Sequence, residues 1–311
     1  MTKQTVLIIQ PLMEKLDAVL NDIFECHRLY EYPSLDAYLA ECGNQAPAIV
    51  TRGDVGVARE IMASLPELQV ISVFGVGTDR IDRDYTAARQ IKVSITSDIL
   101  TDDVADLALT LLLGFSRNLI GYHQFAVDGQ WEHTAPSLSS SVKGKKVGIV
   151  GLGKIGMAIA SRAQAFGMEI GYHNRKATDS PHRYFSNLTE LAIFADFLVL
   201  ALPGSEENKH LVNYRVLQAL GENGVLINVA RGNVVDQEAL ASVLAERSIK
   251  GAALDVYAQE PVIPQALRSL PNVILTPHIA SATHETRQRM ADNVVANLQA
   301  YFASGKLLTP A

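Results

Sequence analysis

The sequence predicts an α/β protein of two domains, each with a doubly wound parallel sheet, and a cleft between them. Three observations carry this prediction. The chain of 311 residues is long enough for about two cores. Short strand-like apolar segments alternate with helical segments along its length. A glycine-rich turn follows one of these strands near the middle. We assign residues 1–99 and 283–311 to the first domain and residues 100–282 to the second.

The composition excludes several classes of protein. Hydrophobic residues make up 48% and charged residues 19% of the chain, as in ordinary globular proteins. The net charge is −6 without a basic block, which argues against nucleic acid or an anionic membrane as partner. Cys26 and Cys42 lack metal-ligand spacing, so we expect no metal and a reducing compartment. Val6–Ile9 leaves no space for a signal peptide, and Leu107–Phe115 is far shorter than the roughly 20 residues of a membrane helix. We expect a cytoplasmic protein.

The first hundred residues show the alternation typical of a small parallel sheet. Its strands are predicted at Thr5–Ile9, Ala48–Val50, Gln69–Phe74 and Lys92–Ile95. A long helix follows at Asp102–Arg117. Its apolar face is so continuous that we expect it to be buried, either between the domains or against another subunit. Residues 122–141 have a weaker pattern, and Ser137–Ser141 is predicted to be a low-complexity loop.

The central feature of the second domain is the turn after the strand Lys146–Val150. It reads Gly151, Leu152, Gly153, Lys154, Ile155 and Gly156. In such a turn the first glycine permits a tight bend, the second lets backbone approach a pyrophosphate, and the third lets helix pack on strand. The helix that follows would point free N–H groups at the phosphates. A second strand at Met168–Tyr172 favours this interpretation over a purely structural strand–turn–helix. We predict that these six residues bind a dinucleotide in a Rossmann domain.

The alternation resumes beyond the glycine turn. Further strands are predicted at Phe197–Leu202, Val225–Val229, Ala252–Val256 and Val273–Leu275. Together with the first two they make six parallel strands, the size of a complete dinucleotide-binding sheet. The last segment, Thr283–Phe302, is an amphipathic helix that we expect to return to the first domain.

The residues after the second strand bear on the choice of cofactor. An acidic residue about 20 positions beyond the first glycine would bind a ribose 2′-OH. Here Asn174, Arg175 and Lys176 stand in its place. Asn174 and Arg175 offer donors suited to phosphate oxygens, whereas an Asp would repel a 2′-phosphate. We therefore favour NADP(H), with NAD(H) as the second choice. The alternative is a solvated turn with ordinary surface cations.

Three charged residues follow predicted strands, at the edge where doubly wound sheets place their ligands. Arg231 lies between an apolar strand and a glycine, although a lone Arg there is more often a surface ion-pair partner. Glu260 comes just beyond the next strand, where a solvated loop carboxylate is the ordinary interpretation. His278 follows Pro277 at the sheet edge and is as easily a structural histidine.

Four motifs together carry a family resemblance over the whole chain. They are the glycine turn, Asn228–Gly232, Leu254–Tyr257 with Glu260–Pro261, and Thr276–Ser281. In order and spacing they resemble the signatures of the D-isomer-specific 2-hydroxyacid dehydrogenases. Asp98–Asp106 and Leu307–Pro310 are similar to the branch of glyoxylate/hydroxypyruvate reductases and hydroxyphenylpyruvate reductases. The fold implied is a Rossmann cofactor domain plus a flavodoxin-like substrate domain.

The resemblance implies catalytic roles that suit the reduction of a 2-oxo acid. His278 as imidazolium would donate the proton, because its native titration range suits neutral pH. Glu260 would hydrogen-bond the ring and favour its charged form. Arg231 would hold the carboxylate and polarise the keto oxygen. Asp255 would meet the nicotinamide side, or be purely structural.

The resemblance also implies binding residues and an oligomeric state. Val76 and Gly77 would present backbone N–H groups to the substrate carboxylate, and Leu100 would line the pocket. Pro203 and Val229, at strand ends, would line the cofactor. Gly204 and Asn208 depart from the Leu and Thr expected there. The family dimerises through the region of the long helix, so we expect a homodimer. Trp131 would be an interface or pocket aromatic, or a core anchor.

The sequence thus predicts an NADP(H)-preferring reductase of small 2-oxo acids, of the glyoxylate, hydroxypyruvate or aryl-pyruvate class, that forms D-2-hydroxy acids. Two alternatives stand beside it. One is an NAD-linked phosphoglycerate-type dehydrogenase. The presence of Asn174, where an NAD site would have an acidic residue, argues against it. The other is a non-catalytic nucleotide-sensing scaffold on the same fold, against which the Arg231, Glu260 and His278 set counts.

Overall fold

The computed structural model describes residues 3–311 and divides them into two compact α/β units. One unit consists of the chain up to Leu100 together with Thr283–Ala311, and the other of Thr101–Ala282. Each unit contains its own parallel sheet. The predicted fold class, two doubly wound parallel-sheet domains, is confirmed in each unit taken by itself.

The first unit is built on a five-stranded sheet. Its strands are β1 (Thr5–Ile8), β2 (Glu25–Arg28), β3 (Ala48–Arg52), β4 (Val70–Phe74) and β5 (Lys92–Ser94). All pairings are parallel, in the order β2-β1-β3-β4-β5. This is the flavodoxin-like order, as expected. The helices are α1 (Glu14–Ile23), α2 (Leu35–Cys42), α3 (Arg59–Ser64), α4 (Arg83–Ala88) and α12 (His284–Ser304).

Apolar runs account for the inner strands of this sheet. Ile49, Ile71 and Val73 have no exposed surface and form part of one hydrophobic core with the helices. The sequence missed β2, because Glu25–Arg28 lies at the sheet edge and is half-exposed and polar. Helix α12 packs on β4, and the residues after it join β5 through a hydrogen bond from the Ile95 N–H to the Thr309 carbonyl (3.0 Å).

The second unit is built on a seven-stranded parallel sheet in the order β12-β11-β10-β9-β6-β7-β8. The strands are β6 (Lys146–Val150), β7 (Glu169–His173), β8 (Arg183–Tyr184), β9 (Phe197–Leu200), β10 (Val225–Asn228), β11 (Gly251–Leu254) and β12 (Val273–Leu275). Six were predicted, and the seventh, β8, has only two residues at the edge, too few for a periodic pattern. Counted from β6, the order is that of the Rossmann fold with one added strand.

Helices cover both faces of this second sheet. They are α5 (Thr101–Ser116), α6 (Leu119–Val127), α7 (Lys154–Ala165), α8 (Leu188–Phe194), α9 (Tyr214–Leu220), α10 (Gln237–Ala245) and α11 (Gln265–Arg268). The sequence missed α6, which lies partly in the weakly patterned stretch 122–141. Leu198, Leu226 and Ala252, on the inner strands, have no exposed surface and anchor the hydrophobic core of this unit.

The burial of α5 corrects one expectation. Its apolar face was predicted to need another domain or another subunit. Instead α5 packs on α7, β10 and β11 of its own unit. Leu111 and Leu112 are 4% and 0% exposed there. No single helix within residues 3–311 is long and apolar enough to span a membrane, and α5 and α6 meet that test only as a pair bent by 59°.

Candidate active site

In the glycine turn between β6 and α7, Gly151 and Gly156 are closely packed, whereas the space beside Gly153 is open. Gly151 has a φ of +96°, in the left-handed region that favours glycine, and a methyl group on it would lie 2.6 Å from the Ala201 carbonyl oxygen. Gly156 lies against the Gly151 carbonyl and has no space for a side chain. A methyl group on Gly153 would meet no atom within 4 Å. The turn therefore fits a pyrophosphate placed against Gly153.

The first turn of α7 supplies the donors for such a group. The earliest hydrogen bond of the helix runs from the Met157 N–H to the Gly153 carbonyl at 2.8 Å. The N–H groups before Met157 have no helical acceptor, and the helix dipole adds positive potential there. The Leu152 N–H donates to Oδ1 of Asn174 at 2.7 Å. Lys154, Ile155 and Gly156 would therefore hold the phosphates, and Leu152 is already used to fix the turn.

The residues that bear on the cofactor's ribose follow β7. Asn174 is fixed at both ends, because its Oδ1 accepts from Leu152 and its carbonyl accepts from the Tyr184 hydroxyl at 3.2 Å. Arg175 is 87% exposed and forms an ion pair with Glu207, with Nη1 to Oε2 at 3.0 Å. Lys176 is also exposed. Arg175 was expected to be a fork facing a phosphate. The structure adds a carboxylate partner that the sequence did not indicate.

The loop after β9 carries Glu207 and is tied to its surroundings. Asn208 Nδ2 donates to the Pro203 carbonyl at 2.9 Å, and Asn233 Nδ2 donates to the Gly204 carbonyl at 2.7 Å. A methyl group on Gly204 would lie 2.6 Å from Cγ of Arg231. The departure from the expected Leu at Gly204 therefore has a physical reason, since the stem of Arg231 occupies that space.

Arg231 begins the turn after β10, and the buried Asn228 holds this turn. Asn228 is 1% exposed, its Oδ1 accepts from the Ala230 N–H and its Nδ2 donates to the Arg231 carbonyl, both at 3.0 Å. The guanidinium Nη1 donates to the Ala230 carbonyl at 2.8 Å. Val229, beside it, is 7% exposed. The turn that carries Arg231 is thus stiffened by its own polar groups.

Asp255 fixes the segment that carries His278. Its side chain is fully buried, and Oδ1 accepts from the Thr276 hydroxyl at 2.7 Å and the Ile279 N–H at 2.9 Å. Oδ2 accepts from the Ala280 N–H at 3.0 Å. Burial raises the pKa of Asp255, and these hydrogen bonds oppose that shift. The contacts support a positioning role for Asp255. Its predicted contact with the nicotinamide side remains a prediction.

Glu260 and His278 form a hydrogen-bonded pair. Oε2 of Glu260 lies 2.6 Å from Nδ1 of His278, and its Oε1 accepts from the Tyr257 N–H at 2.9 Å. His278 has a φ of +54° and donates its N–H to the Asp255 carbonyl at 2.9 Å. A left-handed backbone is costly for a histidine, so these contacts stabilise a conformation that points the ring at Glu260.

The electrostatics of this pair determine which ring nitrogen is available. Burial alone would raise the pKa of Glu260, but the hydrogen bond and charge of His278, the Tyr257 N–H and the charge of Arg231 outweigh it. The pKa is therefore lowered and the carboxylate is ionised at neutral pH. An ionised carboxylate only accepts, so Nδ1 must carry the proton. With the His278 side chain 32% exposed, Nε2 is the nitrogen able to exchange a proton with a ligand.

In the first unit, the predicted binding loop follows β4. Gly75 has a φ of +144°, and its carbonyl accepts from the Thr96 N–H at 2.9 Å. Val76 is half-buried, Gly77 is buried, and Leu100 is 5% exposed. The φ of Gly75 lies in the region that favours glycine, so a glycine is required at this turn. The substrate contacts of Val76, Gly77 and Leu100 stay predictions.

Sequence reasoning identified the charged groups of the second unit but missed their supports. The structure brings Glu260 and His278 into contact, and the charge of Arg231 acts on Glu260. The missed supports are Asn228, Tyr257, Thr276 and Glu207. A polar residue at the end of an apolar strand was the available signal for Asn228 and Thr276, because a polar group beside a buried strand needs a partner. The exposed Glu207 carried no such signal.

Together these features define a class of protein. A Rossmann sheet carries a dinucleotide turn, and the strands β10, β11 and β12 are followed by an Arg, a Glu and a His that act on one another. This is the arrangement of a nicotinamide-nucleotide-dependent oxidoreductase. A model of the D-isomer specific 2-hydroxyacid dehydrogenase family, NAD binding domain, matches residues 109–280. The chain belongs to this family.

Similar proteins extend the match to the whole chain. The chain is 45% identical over 313 residues to 2-ketogluconate reductase of Gluconobacter oxydans, covering 99% of each. It is 41% identical over 306 residues to glyoxylate/hydroxypyruvate reductase A of Arabidopsis thaliana, covering 98% of each. It is also similar to the crystal structure of NADPH-dependent glyoxylate/hydroxypyruvate reductase of Sinorhizobium meliloti in complex with NADP and malonate. There the TM-score is 0.94 at 40% identity, over 100% of this chain and 97% of that one.

Proposed function

We propose that this protein is an NADP(H)-preferring reductase of small 2-oxo acids, which it converts to D-2-hydroxy acids. The observation that carries the proposal is the Glu260–His278 pair, with Nδ1 engaged by the carboxylate and Arg231 acting on the same carboxylate. The relatives named for glyoxylate, hydroxypyruvate and 2-ketogluconate reduction support the substrate class.

The residues of the second unit suit the reduction of a carbonyl beside a carboxylate. The bound nicotinamide nucleotide supplies the hydride to the carbonyl carbon. His278 holds its exchangeable proton on Nε2 and delivers it to the carbonyl oxygen, while Glu260 keeps the ring oriented through Nδ1. Arg231 binds the carboxylate and stabilises negative charge as it develops on the oxygen. In the reverse direction, Nε2 of the neutral ring accepts the hydroxyl proton.

The preference for NADP(H) is supported by the residues after β7. Oδ1 of Asn174 accepts a hydrogen bond from the glycine turn, and the next residue, Arg175, is an exposed cation. No carboxylate stands at position 174 to bind a ribose 2′-OH. A similar protein of Sinorhizobium meliloti was solved with NADP. NAD(H) remains the weaker cofactor in this proposal.

A substrate panel tests the proposed function. Oxidation of NADPH is followed with glyoxylate, hydroxypyruvate, hydroxyphenylpyruvate and 2-ketogluconate, then repeated with NADH. Hydroxyacetone, which has a methyl group where hydroxypyruvate has its carboxylate, is the matched control for carboxylate binding by Arg231. We expect turnover of at least one 2-oxo acid and little turnover of hydroxyacetone. Where the product is chiral, as it is from every panel substrate except glyoxylate, we expect the D configuration at C2 by chiral chromatography. Cofactor binding without turnover of any 2-oxo acid would favour the non-catalytic scaffold instead.

We further propose a homodimer in which the segment around α6 is an interface. Five large hydrophobic side chains are exposed there, at Leu119, Ile120, Val127, Trp131 and Leu138 (60–99%). Such clustering on a surface is typical of interaction sites. Ile120→Lys should yield monomers by light scattering. The control Ile193→Lys places the same charge on α8 at a site 70% exposed and should leave the dimer intact. A monomeric wild-type protein would refute the proposal.

The cysteines support a cytoplasmic location. Cys26 and Cys42 are free and half-buried. Burial raises the pKa of the Cys26 thiol to about 11, so it stays protonated and unreactive. Subcellular fractionation tests this location, and recovery outside the cytoplasm would contradict it.

A further inference from the structure

An ion pair joins the two loops on either side of the glycine turn. Arg175 follows β7, and Glu207 lies in the helical turn Glu206–Asn208 after β9. Strands β7 and β9 are the two neighbours of β6, so their carboxyl ends flank Gly151–Gly156. Arg175 Nη1 lies 3.0 Å from Glu207 Oε2, with the side chains 87% and 74% exposed.

Both partners stand on anchored backbone. The residue before Arg175 is held through its side chain and its carbonyl. The loop of Glu207 is held by the Asn208–Pro203 and Asn233–Gly204 hydrogen bonds. The ion pair therefore joins two anchored loops that flank the glycine turn. Arg175, the cation that would bind a 2′-phosphate, is thus already paired with the Glu207 carboxylate.

We propose that Glu207 determines cofactor specificity by competing with the cofactor's 2′-phosphate for Arg175. The inference rests on the proposed function, in which NADP(H) binds at this turn. A 2′-phosphate carries more charge than a carboxylate and accepts two parallel hydrogen bonds from a guanidinium, so it displaces Glu207. With NAD(H), nothing displaces Glu207, and the pair neutralises Arg175. Glu207 thereby weakens NADP(H) binding, leaves NAD(H) binding unchanged, and narrows the preference between them.

The exposure of the pair bounds the size of this effect. Exposed ion pairs are weak because water screens them, and measured couplings correspond to factors of up to about fivefold in an equilibrium constant. We therefore expect the Glu207→Gln variant to bind NADP⁺ about three- to fivefold more tightly than wild type.

Binding calorimetry tests the proposal without turnover. The probes are NADP⁺ against NAD⁺, and the fragments adenosine 2′,5′-bisphosphate against adenosine 5′-monophosphate. Glu207→Gln should tighten only the two probes that carry a 2′-phosphate and leave the other two within about twofold of wild type. Glu206→Gln is the matched control, since Glu206 is adjacent and equally charged but pairs with Lys209 at 3.9 Å. It should leave all four dissociation constants within about twofold of wild type.

A double-mutant comparison shows whether the effect passes through Arg175. Arg175→Ala should weaken both 2′-phosphate probes, and adding Glu207→Gln to it should change nothing further. The proposal fails if Glu207→Gln leaves NADP⁺ binding unchanged, if Glu206→Gln acts equally, or if the effect persists without Arg175. If Arg175→Ala loses NADP⁺ affinity but Glu207→Gln has no effect, the role of Glu207 is refuted and the NADP(H) assignment stands. An Arg175→Ala variant that binds both 2′-phosphate probes normally would overturn the NADP(H) assignment at this site as well.

Discussion

Glu260 and His278 lie eighteen residues apart in sequence, yet Oε2 of the carboxylate is 2.6 Å from Nδ1 of the ring. Each partner is held by backbone from the segment after β11. Glu260 accepts from the Tyr257 N–H, and His278 donates its N–H to the Asp255 carbonyl. The geometry of the pair is therefore set by the fold. This preorganisation is what proton transfer at a defined atom requires.

The pair gives the protein's stability a specific pH dependence. The folded-state pKa of Glu260 is lowered, so its contribution to stability is present above its unfolded value of about 4.3 and is lost as pH falls through the folded value. Wild type should exceed Glu260→Gln in Tm at pH 7, and the difference should shrink below about pH 4.3. Thermal unfolding of both proteins over this range measures it. Glu222→Gln, at an exposed turn, is the control. A difference that does not shrink as pH falls below about 4.3 would contradict the assignment.

Arg231 should not be replaceable by lysine. Lysine keeps the charge but loses the planar fork that binds a carboxylate with two hydrogen bonds. We expect Arg231→Lys to lower kcat/KM for hydroxypyruvate by about 10²- to 10³-fold, the cost of losing one oxyanion donor. The dissociation constant of NADP⁺ should stay near that of wild type. Arg268→Lys, on the exposed surface of α11, is the control. If Arg231→Lys keeps the wild-type kcat/KM, Arg231 does not bind the substrate carboxylate through two hydrogen bonds.

Asp255 should act through His278 rather than on the substrate. Asp255→Asn places a donor against a backbone N–H and leaves buried polar groups unpaired. We expect a loss of about 1–3 kcal/mol of unfolding free energy, together with a lower kcat. Thr276→Val removes only one of the three hydrogen bonds to Asp255 and should have a smaller effect on both. Equal stability and kcat in Asp255→Asn and wild type would show that this network does not position His278.

Asn174 and Arg175 should together set the cofactor preference. Asp at position 174 can still accept from the Leu152 N–H, so Asn174→Asp preserves the glycine turn while adding a carboxylate for a ribose 2′-OH. Combined with Arg175→Ala, it should move the ratio of kcat/KM for NADPH and NADH toward NADH. The Arg175→Ala single variant separates loss of the phosphate site from gain of the hydroxyl site. An unchanged ratio in the double variant would refute the 2′-phosphate assignment.

The sequence predicted the inner strands, because burial on both faces leaves a continuous hydrophobic run, and also the edge strands β5 and β12, which carry apolar residues. It missed the other two edge strands, β2 and β8, whose residues are polar and partly exposed. It predicted that α5 is buried but expected another domain or another subunit to cover it, because periodicity shows that a face is covered without naming its partner. The structure supplies that partner within the same unit.

Within the candidate site, sequence order explains which parts were predicted. Arg231, Glu260 and His278 each follow an apolar strand, and parallel strands bring such positions to one edge. The supports of these residues depend on side-chain hydrogen bonds between distant segments, such as Thr276 to Asp255, which no local pattern encodes. The Arg175–Glu207 pair depends likewise on two loops meeting across the sheet edge.

We propose that His278 carries the proton in a reduction driven by NADPH. This role is tested by the single-turnover rate and steady-state kcat of His278→Ala with hydroxypyruvate, alongside calorimetric binding of NADP⁺. His182→Ala, in the loop before β8, is the control. We predict a fall in kcat of about 10²- to 10⁴-fold with NADP⁺ affinity unchanged, as for loss of a general acid. If the kcat of His278→Ala stays within about tenfold of wild type, His278 is not the proton donor.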